Sequence, residues 1–297
     1  MKMLVLFIGI VMVGSLSCKE GGDKTTLADQ IEKAISPVEA TVTSNDGVKI
    51  NYTQYGQGDH VILFVHGWSC DQTYWKEQID HFKEDYLVIT IDLGGHGESG
   101  KGERKEWTIP SFSDDVLTVV KAHDHKDITL VGHSLGAMVV IEAGKTLPAD
   151  KTKIVAVDYL KTPLVAFPIE VVNQFMGAFY TDFEMAMRGF VTPMFTEDSD
   201  TTIRDWIMDD MASAPPEIAI PSSVDLATRD FNSTFKSLIE KDISRYIINS
   251  DLAPTDFDYY KDSLGFSIIT IPKSGHFMML EKADEFNQQL TEILASD

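Results

Sequence analysis

The segment from Asp127 to Ala143, DITLVGHSLGAMVVIEA, holds a serine between glycines at i−2 and i+2. A short apolar run with strand composition precedes Ser134, and a longer apolar run follows it, which predicts strand, sharp turn and helix. A loop that only reverses direction needs one glycine. Two of them, placed symmetrically about Ser134, suit a bend in which backbone crowds against backbone and only small residues are tolerated. Ser134 then stands exposed at the apex. The helix behind it aims unpaired N–H groups, Leu135 first, at whatever the hydroxyl attacks. A serine hydroxyl is a poor nucleophile by itself, so this reading demands a nearby base and further donors for an oxyanion.

Outward from that segment, strand-like and helix-like stretches alternate from about Val38. VKINYTQY, HVILFV, YLVITI, ITLV, KIVAV, SRYIIN and FSIITI read as strands. TYWKEQIDHF, SFSDDVLTVVKAH, LGAMVVIEAGKTL and a closing stretch from about Lys282 to Leu294 read as helices. Buried β-rich runs separated by helices predict an α/β fold, a mostly parallel sheet covered on both faces. Such sheets bind ligands at the carboxyl ends of their strands. The rhythm breaks between residues 161 and 240, where Phe, Met and Pro accumulate and only helical patterns appear. That stretch is expected to be a helical lid inserted between two strands of one sheet.

The distinctive residues fall just after strands. Phe64-Val65-His66-Gly67-Trp68 ends one, and there the Trp68 N–H would supply the second oxyanion donor while His66 shapes the loop. Asp92-Leu93-Gly94-Gly95-His96-Gly97-Glu98-Ser99 follows the next and suits a tight loop at the pocket border. Ser274-Gly275-His276-Phe277 follows the last strand, where a loop can swing His276 Nε2 onto Ser134. His60, His81, His123 and His125 fall on surface positions and His133 packs inside the elbow, leaving His276 as the expected base.

HGW, DLGGHGES, GHSLG and SGHF, in this order and spacing, resemble the α/β-hydrolase superfamily over nearly all of residues 40–297. Gly94 and Ala283 stand where relatives often carry proline. The resemblance implies a doubly wound, eight-stranded sheet and a Ser-His-acid triad. Relatives commonly carry the acid after the strand read here as SRYIIN, where this chain has Ala253. Asp251 is two residues early for that register and Asp256 three late. Asp158 directly follows KIVAV, as in some branches of the superfamily, and ranks first, with Asp251 and Asp256 as alternatives. The serine at the elbow separates this chain from dehalogenases and epoxide hydrolases, which carry aspartate there. The expected activity is hydrolysis of a carboxylic ester or thioester with an apolar portion, by Ser134, His276 and Asp158, with Leu135 and Trp68 holding the oxyanion. Carbon–carbon bond cleavage, perhydrolysis and slow-turnover ligand binding are the alternatives.

The chain of 297 residues is 43% hydrophobic, enough for a large core. Its formal charge of -21 leaves no basic stripe to replace phosphate counterions, which excludes nucleic acid as a partner. No metal-ligand spacing or phosphate-cradling loop appears, so no cofactor is expected. Residues 1–17 read as an export signal, with an apolar run from Met3 to Val13 too short for a span of ~20 residues. Gly14-Ser15-Leu16-Ser17-Cys18 resembles a bacterial lipoprotein cleavage site, implying a lipidated Cys18, a polar tether over residues 18–37 and a place in the cell envelope. With Cys70 as the second of two cysteines, no disulfide framework is expected.

Overall fold

The computed structural model describes residues 36–123 and 127–296; the expected signal segment, Cys18 and His125 lie outside them. Eight strands form one sheet: β1 (Val38–Thr43), β2 (Lys49–Tyr55), β3 (His60–Val65), β4 (Leu87–Ile91), β5 (Asp127–His133), β6 (Thr152–Val157), β7 (Ser244–Ser250) and β8 (Ser267–Ile271). Their order is β1-β2-β4-β3-β5-β6-β7-β8. The β1–β2 and β2–β4 pairs are antiparallel and every other pair is parallel. Strands β3 to β6 are almost wholly buried, consistent with their unbroken apolar sequences. The sequence pattern did not single out β1, whose VEATVT has three outward-facing polar residues and lies at the sheet edge.

Helices α1 (Lys76–Phe82), α2 (Ile109–Lys121), α3 (Leu135–Gly144), α9 (Met278–Glu281) and α10 (Ala283–Ala295) connect or follow the strands. Helix α2 starts two residues before the expected SFSDD run because Thr108 caps it, bonding reciprocally with Ser111. Helix α3 is buried at nine of its ten positions, so it packs between the sheet and neighbouring helices. Between β6 and β7 run α4 (Ile169–Thr181), α5 (Phe183–Val191), α6 (Thr201–Ala212), α7 (Pro216–Thr228) and α8 (Asn232–Lys241). No strand interrupts them among the described residues.

The register fixes what comes next. Val65 pairs Gly132, Gly132 pairs Ala156, Ala156 pairs Ile247 and Ile247 pairs Ile268, so β3, β5, β6, β7 and β8 end along one edge. Trp68, Ser134, Asp158 and His276 all lie past those ends.

Candidate active site

Ser134 directly follows β5, with φ 53° and ψ −117°. Its N–H still donates to Val157 O at 2.9 Å, continuing the β5–β6 ladder one residue past the strand. The chain turns there directly into α3. A Cβ at Gly132 would sit 2.1 Å from Gly136 O, and one at Gly136 2.4 Å from His66 O. Neither backbone can retreat, so both glycines are required by close approach.

Asp158 repeats this device on β6. Its φ is 48°, and its N–H donates to Ile248 O at 2.9 Å. The carboxylate, 3% exposed, reaches across to His276, with Oδ2 2.7 Å from Nδ1. Its other oxygen accepts from Ser250 N–H at 2.6 Å and lies 3.0 Å from Lys161 Nζ. Burial alone would raise this carboxyl, but the His276 hydrogen bond and charge, with the Lys161 ammonium, hold it well below the usual carboxylate range. Asp251 is turned instead to the β8–α9 loop, where Ser274 N–H donates to its Oδ1 at 3.4 Å. Asp256 Oδ1 accepts from Tyr259 N–H at 2.9 Å. Neither of these carboxylates bonds to His276.

His276 is held through its main chain as well. Its N–H donates to Met194 O at 2.8 Å, from the cap. Its carbonyl accepts from His133 Nε2 at 2.9 Å, which places the His133 proton on that nitrogen. Burial, with the charge of His276, pushes the His133 imidazole down to about 3, so it is neutral. Sequence reasoning had given His133 only a packing role. Met194 contributes a carbonyl, which leaves no mark in sequence, and Lys161 was missed although it stands three residues after Asp158.

Leu135 opens α3, and among the described residues neither its N–H nor that of Trp68 donates to a protein acceptor. The loop carrying Trp68 is set by the buried His66. Leu93 N–H donates to His66 Nε2 at 3.0 Å, so Nδ1 carries the proton and donates to Gly67 O at 2.8 Å. The Trp68 indole reaches the cap, donating from Nε1 to Ala219 O at 2.7 Å. Phe179 and Phe190 meet its ring edge-on, with centroids 5.7 and 5.4 Å away.

Ser134, His276 and Trp68 share one cavity of about 290 Å³. The cap closes it with Phe190, Met194, Met211 and Leu226, and Tyr159 adds to the wall. A larger hollow of about 720 Å³ opens at the opposite end of the sheet, among Asp127, Thr152 and Ser244, remote from these residues. Among the described residues no three His, Cys, Asp or Glu side chains are grouped to hold a metal ion.

The site therefore joins a half-buried serine, a histidine oriented by a buried carboxylate and two free amides around an apolar chamber. Residues 62–289 match the profile described as "Alpha/beta hydrolase family". The chain belongs to the alpha/beta hydrolase family. Among curated relatives, the non-heme chloroperoxidase of Kitasatospora aureofaciens is 36% identical over 95 residues, 32% of this chain and 34% of that protein. The strigolactone esterase of Arabidopsis thaliana is 25% identical over 209 residues, 68% of this chain and 71% of that one. In three dimensions the chain superposes on an esterase from Exiguobacterium antarcticum with a TM-score of 0.76 at 18% identity, covering 87% of this chain and all of the other. A bromoperoxidase from Bacillus anthracis gives 0.74 at 23%, with the same coverage. At these identities the superpositions establish the fold.

Proposed function

We propose that this alpha/beta hydrolase is a serine hydrolase that cleaves carboxylic esters or thioesters through an acyl-enzyme on Ser134. The observation that supports this most is the 2.7 Å contact from His276 Nδ1 to Asp158 Oδ2, at the wall of the cavity that Ser134 also lines. With Nδ1 engaged by Asp158, Nε2 is the nitrogen of His276 left to serve the Ser134 hydroxyl. Ser134 Oγ attacks the substrate carbonyl as His276 takes its proton, and the oxyanion falls to the Leu135 and Trp68 amides, each such donor typically worth about 3 kcal/mol. His276 then protonates the leaving alcohol or thiol. A water molecule, deprotonated by the same imidazole, releases the acid.

The apolar cavity wall supports a medium-length acyl or alkyl chain. The haloperoxidase names among the relatives favour a second reading in which hydrogen peroxide takes the place of water at the acyl-enzyme and yields a peracid. The test is a series of p-nitrophenyl esters from acetate to dodecanoate, assayed with and without hydrogen peroxide. The expected result is an optimum at intermediate length that vanishes to background in Ser134→Ala and His276→Ala. Activity surviving in Ser134→Ala overturns the proposal.

We also propose that the protein is exported and held in the cell envelope by lipid on Cys18, since several acyl chains at ~0.8 kcal/mol per buried CH₂ give a stable anchor. No helix among the described residues is long and apolar enough to cross a membrane. Cys18→Ser is expected to move the protein from the membrane to the soluble fraction, and unchanged fractionation removes the anchor.

A further inference from the structure

The acid of the site carries a second ion pair that the steps above do not use. Lys161 Nζ lies 3.0 Å from Asp158 Oδ1, the oxygen turned away from His276. It also donates to Ser250 O at 3.0 Å and to Ser250 Oγ at 2.7 Å. Three acceptors match the three donors of an ammonium, and the side chain is only 15% exposed, so the cation is held in one geometry. Its backbone is fixed too: Lys161 O accepts from Asp256 N–H at 2.7 Å, and Lys161 N–H donates to Tyr159 O at 3.0 Å.

Other titratable groups face this assembly. Glu281, from α9, acts electrostatically on both His276 and Asp158, and burial pushes its carboxyl up. Asp251, beyond β7, interacts electrostatically with Lys161. His133 is neutral beneath His276, and burial raises the Tyr159 phenol, which keeps it neutral as well. Among these groups Lys161 is the one permanent cation. A buried carboxylate with no such counter-charge would stabilise the imidazolium of its partner more strongly and withhold the base until higher pH. An ammonium paired with the same carboxylate opposes that, by about one pH unit.

We propose that Lys161 is a positioning residue for the hydrolytic base: it clamps Asp158 through its rear oxygen and offsets its charge, keeping His276 able to accept the Ser134 proton in mildly acid solution. The role rests on the serine-hydrolase reading. Because the acid stands on β6, the residues leading into the cap pass behind it, and the cation comes from them.

The experiment is the pH dependence of kcat/KM for p-nitrophenyl butyrate with the full chain and its Lys161→Met, Lys161→Gln and Lys161→Arg variants, with folding followed by circular dichroism. In the two neutral variants the acidic limb moves up by about one pH unit, and kcat/KM below it falls about tenfold, while the alkaline plateau stays within about threefold. Lys161→Arg keeps the original limb. Coincident limbs in wild type and either folded neutral variant overturn the proposal, as does an Arg variant shifted as far as Met. Loss of folding in both neutral variants while Arg folds assigns Lys161 to stability alone, and equally overturns it. A wild type inert toward the ester removes the underlying serine-hydrolase reading instead, and this role with it.

Discussion

Ser134 and Asp158 are the same piece of engineering used twice. Each is the first residue past a parallel strand, each keeps its N–H on the neighbouring strand, and each turns to positive φ, 53° and 48°. Such conformations cost about 1–3 kcal/mol apiece in a residue with a side chain, and here the retained ladder bonds hold them in place. The result throws a hydroxyl and a carboxylate over the same edge, where His276 bonds to the carboxylate and shares a cavity with the hydroxyl. Asp158→Asn is expected to lower kcat by on the order of 10³–10⁴, because the amide can no longer stabilise the imidazolium, whereas Asp251→Asn changes it by less than about tenfold. Steady-state kinetics of the two variants, with the ranking reversed, would move the acid to Asp251. The serine was legible in sequence because its steric demand is local, written at i−2 and i+2. Asp158 was legible only as one of three candidates: how far a strand-end carboxylate reaches depends on the β6–β7 register, which no local pattern encodes.

At the scale of elements, the cap is part of the catalytic frame as well as its cover. Ala219 O on α7 holds the Trp68 indole, Met194 O holds His276 N–H, and Ser199 Oγ donates to Glu281 beside the histidine loop. Trp68→Phe keeps the ring but loses the bond to Ala219, so kcat should fall about tenfold with about 1 kcal/mol of stability lost. An unchanged kcat would mean that the cap and the oxyanion loop are independent. A fourth attachment is pH-sensitive. Tyr74 OH donates to Asp210 Oδ2 at 2.8 Å, the Trp206 ring lies 4.7 Å from that of Tyr74, and burial pushes the Asp210 carboxyl up from 3.8 to about 6. The native protein thus holds a proton here that the unfolded chain releases near pH 4. The stability this provides is complete below the unfolded value and is lost as pH rises through about 6. Asp210→Asn keeps a neutral acceptor at every pH. Thermal melts should show it more stable than wild type by about 3 °C at pH 8 and nearly equal at pH 4.5, allowing for partial solvent screening. An equal difference at both pH values contradicts the account. Little of this was legible in sequence. A Phe- and Met-rich segment announces helices and apolar packing, but the contacts that matter are backbone carbonyls, which every residue possesses.

For the molecule as a whole, the parallel sheet does the assembling. Residues from four separate loops, spread from Trp68 to His276, meet because β3, β5, β6 and β8 all end on one edge. That much followed from the alternation of buried strands and helices, since parallel strands oblige every connection to return across a face. The edge strand β1 was less legible, being polar and half exposed, and it contributes nothing to the site. The central claim is that Ser134 is a nucleophile activated by His276. It is tested most directly by exposing wild type and His276→Ala to one equivalent of a serine-directed fluorophosphonate at pH 7.5 and mapping the adduct by peptide mass spectrometry. The account predicts rapid, near-stoichiometric phosphonylation of Ser134 in the wild type and a rate lower by on the order of 10³ in the variant. An unmodified Ser134, or equal rates in the two proteins, would contradict it.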